Sequence, residues 1–172
     1  MTYLGAGFIL LSPDCSHTLL VNDARSKKWG FPKGHKEKED ADDLATAVRE
    51  TEEETGLTIN DYTIKSDVFR VSKGSQSYLF RYVSVKPHAL NQATPHPDFA
   101  KEIRECRWVP IGELLKANHI YDGNKYLRNW ISDIQQDMSK KSVHLFKKLC
   151  NLGLGCGPAH ESMGSANIVT CA

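Results

Sequence analysis

Residues 34–57 read GHKEKEDADDLATAVRETEEETGL, and the fold class follows from how that stretch is placed. On a helix of about 3.6 residues per turn over 42–55, Leu44, Ala47, Val48, Thr51 and Thr55 form one mostly apolar stripe. That face is expected to pack inward. Glu50, Glu53 and Glu54 stand at i, i+3 and i+4 and share a second face, about a third of a turn away. Gly56 stands where a left-handed residue stops a helix, and apolar Leu57 follows it. Three carboxylates on one face repel one another. A hard divalent cation reverses the sign of that cost, because Mg²⁺ prefers oxygen ligands. Arg49 also stands at the spacing to pair with Glu53.

Charge runs usually mean only a solvated helix face, so the flanks matter. Lys28-Trp29-Gly30-Phe31-Pro32-Lys33-Gly34 leads into the loop, and Arg49-Glu50-Thr51-Glu52-Glu53-Glu54-Thr55-Gly56-Leu57 closes it. This resembles the Nudix hydrolase signature, G-x5-E-x7-R-E-U-x-E-E-x-G-U with U apolar. Arg49 follows Gly34 by one position more than the signature has. The first Glu of the signature therefore has no unique match, and Glu39 and Asp40 both stand open for it. Thr51 at a U position is a milder departure. The resemblance covers roughly residues 4–136. It implies an α/β class, a Nudix-type α/β/α sandwich with a mixed β-sheet and the signature as loop-helix-loop.

The 172 residues suit one domain at 1–138, followed by a basic segment and tail at 139–172. With 25% charged and 40% hydrophobic residues, the composition is that of a globular protein. A net charge of +1 gives no global field for nucleic acid or membrane. Cys15, Cys106, Cys150, Cys156 and Cys171 are odd in number and scattered, so a disulfide framework or zinc site is not expected. A reducing, cytoplasmic location is expected, with no signal peptide, membrane span or obligate protein partner.

Residues 5–11, an apolar run, are expected as a buried central strand, and 18–21 as the returning strand. Residues 29–31 form a short strand. Residues 62–71 and 76–86 read as a hairpin across Lys73-Gly74, with Tyr78, Phe80 and Tyr82 on one face. Residues 87–98, with three prolines, read as a surface loop. A strand at 105–110, a short helix at 111–115 and a longer helix from about Asn124 complete the domain. Leu127, Trp130, Ile131 and Ile134 make the apolar stripe of that last helix. Lys140, Lys141, Lys147 and Lys148 follow it, and 151–172 is expected outside the core.

The resemblance carries roles onto matching positions. Glu53 and Glu54 match the adjacent metal ligands, Glu50 the third helical carboxylate, and Arg49 the arginine that orients them. Gly34, through its carbonyl, is a further ligand candidate, since glycine permits close approach. Mg²⁺ is the expected ion, with Mn²⁺ as the alternative. Lys33 suits a phosphate contact, and Arg25, Lys27 and Lys28 cluster with it around the site entrance. Trp29 and Tyr78 are candidate base-stacking platforms, with a core position as the alternative. Lys101-Glu102-Ile103, followed by Trp108, resembles the segment of mRNA-decapping enzymes, and of some dinucleotide hydrolases, that returns a Glu to the metal site. Glu102 joins Glu53 and Arg49 as a catalytic candidate.

The Phe31-Pro32-Lys33-Gly34-His35 run, with Glu37 near it, resembles diadenosine tetraphosphate hydrolases. The expectation is a pyrophosphohydrolase acting on a nucleoside diphosphate linked to another group, first a dinucleoside polyphosphate, then capped RNA. A diphosphoinositol polyphosphate comes third. The rival of another class is a Nudix module that binds a nucleotide without cleaving it. Such modules typically lose signature glutamates, and all three helical ones are present here.

Overall fold

The computed structural model describes residues 2–99, 101–116 and 122–139. In chain order these form β1 (Thr2–Leu11), β2 (His17–Asp23), β3 (Trp29–Gly30), β4 (Lys33–His35), α1 (Asp43–Thr55), β5 (Tyr62–Lys73), β6 (Gln76–Val85), β7 (Ile103–Pro110), α2 (Ile111–Lys116) and α3 (Lys125–Ser139). The strands make one mixed sheet in the order β3-β2-β1-β6-β5, with β4 on β1 and β7 on β2. Among the described strand pairs, only β1 and β6 run parallel; the other pairs are antiparallel.

β1 is apolar on both faces because both are covered. Phe8 and Leu10 join Leu19, Ala47, Leu57 and Val83 under α1. Ile9 and Leu11 join Leu20, Phe31, Phe80 and Trp130 under α3. The layers are therefore helix, sheet, helix, as expected. β6 alternates as its sequence dictates, with Phe80 and Tyr82 in the α3 core and Val83 and Val85 in the α1 core. Trp130 is fully buried; its ring meets Phe31 edge-on at 5.3 Å and its Nε1–H donates to the Tyr82 hydroxyl at 3.0 Å.

Four features depart from the sequence reading. Residues 33–35 are a strand, not loop, pairing with β1 across Ala6↔Gly34. Gly5 makes that approach feasible, since a β-carbon there would overlap the Gly34 carbonyl oxygen. The start of β7 lies at Ile103, because β2 extends to Asp23 and supplies partners for it. The loop at 87–98 carries two 3₁₀ turns, Pro87–Ala89 and Pro97–Phe99, and is pinned where Trp108 Nε1–H donates to the Leu90 carbonyl at 2.8 Å.

The fourth departure is the rotation of α1. Its buried residues are Thr46, Ala47, Glu50, Thr51 and Thr55, while Leu44 and Val48 are only partly covered. The helix is turned toward its acidic face because Glu50 seats on Gly34 of β4, where no side chain stands in the way. Asp42 caps the helix by accepting the Ala45 N–H at 2.8 Å, and Gly56 ends it at φ 70°. Residues 140–172, with the four lysines and most of the expected tail, lie outside the described residues.

Candidate active site

Arg49 is the hub. Its Nε and Nη2 donate to the two Asp40 carboxylate oxygens at 3.2 and 3.0 Å, and Nη2 also to the His35 carbonyl at 3.0 Å. Its Nη1 donates to Glu50 Oε1 at 2.9 Å and Glu53 Oε2 at 3.2 Å. All five guanidinium N–H groups are thereby used. Asp40 is 8% exposed and further accepts the Glu37 N–H and the Thr46 hydroxyl. The Arg49 bond above all holds the Asp40 carboxyl well below the usual carboxylate range. Asp40 in turn pulls the Arg49 pKa upward. Of the two residues left open by the extra loop position, Asp40 is the one buried against Arg49, and Glu39 is exposed.

The helical carboxylates are in the opposite situation. Glu50 is 9% exposed and packs on Gly34, where a β-carbon would overlap its carboxylate. Burial raises its pKa, against the opposing pull of Arg49. Burial likewise raises Glu53, and the charges of Glu37 and Glu102 add to that rise. Glu54 Oε2 accepts the Lys33 N–H at 3.0 Å, yet burial pushes its carboxyl up to about 8. Three carboxyls that hold protons unusually tightly mark a place where added positive charge is favoured.

The donor chemistry fits a hard divalent cation: carboxylate oxygens from Glu50, Glu53 and Glu54, with Gly34 packed against Glu50. The cage itself is not closed. Glu50 and Glu53 turn to Arg49 and Glu54 to the Lys33 N–H, and among the described residues no three such side chains converge on one point.

Lys33 and Gly34 are both brought to the cluster, and the Lys33 charge opposes the pKa rise of Glu50 and Glu54. Glu102 is exposed, at the start of β7, but its charge reaches Glu53. Lys28 and Trp29 lie on the β2–β3 side, where the Arg107 guanidinium packs 5.1 Å over the Trp29 ring. Tyr78 needs correction as a stacking platform. It is 4% exposed, packs on Tyr126 at 4.8 Å, and its hydroxyl meets His35 Nε2 at 2.9 Å. A ring so enclosed offers no free face to a base.

Sequence reasoning missed Thr46 and the loop after β6. Thr94 N–H donates to the Thr55 carbonyl at 2.8 Å and His96 N–H to the Glu53 carbonyl at 3.1 Å. These satisfy carbonyls at the end of α1 that the helix leaves open. No local pattern announces such a contact. Cys15 and Cys106 form no disulfide among the described residues, and no helix among them is long and apolar enough to cross a membrane.

Comparison with known proteins adds four findings. The family model described as the NUDIX domain matches residues 1–131. The chain is 32% identical over 154 residues to the m7GpppN-mRNA hydrolase dcap-2 of Caenorhabditis elegans, covering 83% of this chain and 19% of that protein. It is 27% identical over 162 residues to the mRNA-decapping enzyme subunit 2 of Arabidopsis thaliana, covering 84% and 41%. The chain thus spans between a fifth and two fifths of the length of these relatives. In structure it resembles a C. elegans Ap4A hydrolase binary complex, with a TM-score of 0.54 at 19% identity over 76% of this chain and 96% of that one.

Proposed function

The chain belongs to the Nudix family of hydrolases acting on phosphorus-containing anhydrides, and from that premise we propose that it cleaves the anhydride in the 5′ cap of RNA with a divalent cation held at α1. The observation that carries the reaction class is the Arg49 hub, which gathers Asp40, Glu50 and Glu53 around one guanidinium. Glu50, Glu53, Glu54 and the Gly34 carbonyl are the groups that would hold Mg²⁺. When bound, such a cation neutralises phosphate charge and lowers the pKa of water.

The chain's own residues do the rest. Arg49 orients Glu50 and Glu53 and leaves neither free to swing. Lys33 faces the anhydride oxygens. Glu102 accepts the proton of the attacking water as its oxygen bonds to phosphorus and the bridging P–O bond breaks.

The substrate reading rests on the sequence relatives, which are decapping enzymes. It reverses the order that the Phe31-Pro32-Lys33-Gly34-His35 run suggests, because likeness to an Ap4A hydrolase at 19% identity speaks for the fold alone. The test is kcat/KM in Mg²⁺, side by side, for capped oligonucleotide, diadenosine tetraphosphate and an inositol pyrophosphate. Capped oligonucleotide is expected to lead. A lead for diadenosine tetraphosphate would restore the dinucleotide reading, and a lead for the inositol compound would defeat both.

A further inference from the structure

Thr46 is fully buried on α1, and its hydroxyl proton has two acceptors within reach. Asp40 Oδ2 lies at 2.8 Å and the Asp42 carbonyl, one turn back, at 3.3 Å. A helical threonine commonly bonds the carbonyl one turn back. Here the shorter bond goes to Asp40 instead. With its proton given away, the Thr46 oxygen still accepts, and the Tyr3 hydroxyl on β1 stands 3.4 Å from it.

The bond matters because of what Asp40 holds. Its two carboxylate oxygens accept from Nε and Nη2 on one edge of Arg49. A guanidinium is planar and rigid, so two bonds on one edge fix the whole fork. The other edge is thereby aimed, and its Nη1 donates to Glu50 and Glu53. An aspartate carboxylate turns about a broad torsion with little preference of its own, so its plane is set by its partners. Besides Arg49 these are the Glu37 N–H at 2.9 Å and the Thr46 hydroxyl. Glu37 belongs to an exposed loop, whereas Thr46 rides on the helix that carries the glutamates. Without that hydroxyl, a buried carboxylate is one donor short.

We propose that Thr46 is a positioning residue for catalysis: its hydroxyl fixes the plane of the Asp40 carboxylate, and through it the Arg49 fork that keeps Glu50 and Glu53 arranged for the divalent cation. The inference rests on the anhydride-hydrolase reading and adds the group that keeps its hub in register.

The test uses the full chain and three readings. The NMR signal of Arg49 Nε–H, taken without metal, reports how firmly the fork is held. Electron paramagnetic resonance reads Mn²⁺ affinity, and turnover of a capped dinucleotide gives kcat and KM. Thr46→Val, nearly isosteric, and Thr46→Ala, which crowds nothing, should each speed solvent exchange of the Arg49 proton. Each should weaken Mn²⁺ binding by about tenfold and lower kcat at saturating Mg²⁺ by about tenfold, with KM nearly unchanged. Thr46→Ser, which keeps the hydroxyl, should recover all three. Thr18→Val removes another fully buried threonine hydroxyl, bonded to the Leu10 carbonyl at 2.9 Å on β2. It should lose stability in urea yet leave the three readings at the wild-type level. Wild-type readings in a folded Thr46→Val or Thr46→Ala chain overturn the positioning role. So does a serine variant no better than valine, or a Thr18 variant as impaired as those at Thr46. A loosened Arg49 and weakened Mn²⁺ binding in the Thr46 variants, with no anhydride hydrolysis by the wild type, uphold the positioning role and overturn the activity.

Discussion

The backbone N–H of His96 donates to the carbonyl of Glu53 at 3.1 Å, so the loop that delivers Glu102 is fastened to the helix that carries the carboxylates. Glu102 itself is held by its N–H to the Phe99 carbonyl and its carbonyl to the Ala24 N–H. The side chain is exposed, but the backbone beneath it is fixed on two sides. Glu102→Gln is therefore expected to lower kcat much more than it changes KM. Steady-state kinetics check this; two unchanged constants would reduce Glu102 to a surface charge.

Glu53 is bonded to Arg49 and sits among groups that favour added positive charge. Glu53→Gln should keep the fold, read by circular dichroism, and lose roughly two to three decades of turnover. Chelation of the divalent ion should silence the wild type, with Mg²⁺ restoring it.

Gly34 lies under the Glu50 carboxylate, and a methyl there overlaps it. Gly34→Ala should displace Glu50 from the hub and cut activity by about tenfold or more, at a stability cost of roughly 1–3 kcal/mol. Urea unfolding and turnover on the same preparation test the two effects together. Full activity would place the carbonyl and Glu50 outside the reaction.

Asp40 sets a pH dependence. Its folded pKa lies below the ordinary 3.8, so its ionised form stabilises the fold at neutral pH. That contribution is fully present above the unfolded value and is lost as pH falls below it. Asp40→Asn should be less stable than wild type near neutrality, and the gap should begin to narrow only as pH falls below about 5 and close only well below the ordinary carboxylate value. A constant gap down to acid pH would contradict the assignment.

Thr51 occupies a position where the family signature has an apolar residue. It is fully buried, and its hydroxyl has no hydrogen-bond partner among the described residues. Thr51→Val, nearly the same shape, is expected to raise stability by about 1 kcal/mol, measured by thermal or urea unfolding. A loss of stability would reveal a partner for the hydroxyl.

Much of this molecule could be read along the chain. The α1 boundaries, the Gly56 stop, the grouping of Glu50, Glu53 and Glu54, and the alternation of Tyr78, Phe80 and Tyr82 with Leu79 and Val83 all depend on neighbours within a turn or two. Such periodicities are local, so one sequence suffices for them. That Asp40 rather than Glu39 is buried against Arg49 and Thr46 was not local. The strand at 33–35 needed Gly5, far off on β1, to let it approach. Enclosure of Tyr78 came from Tyr126 on α3, and the only partial burial of Leu44 and Val48 goes with Glu50 seating on Gly34. Each of these is a contact between residues distant along the chain, decided by steric fit and burial once the sheet has formed.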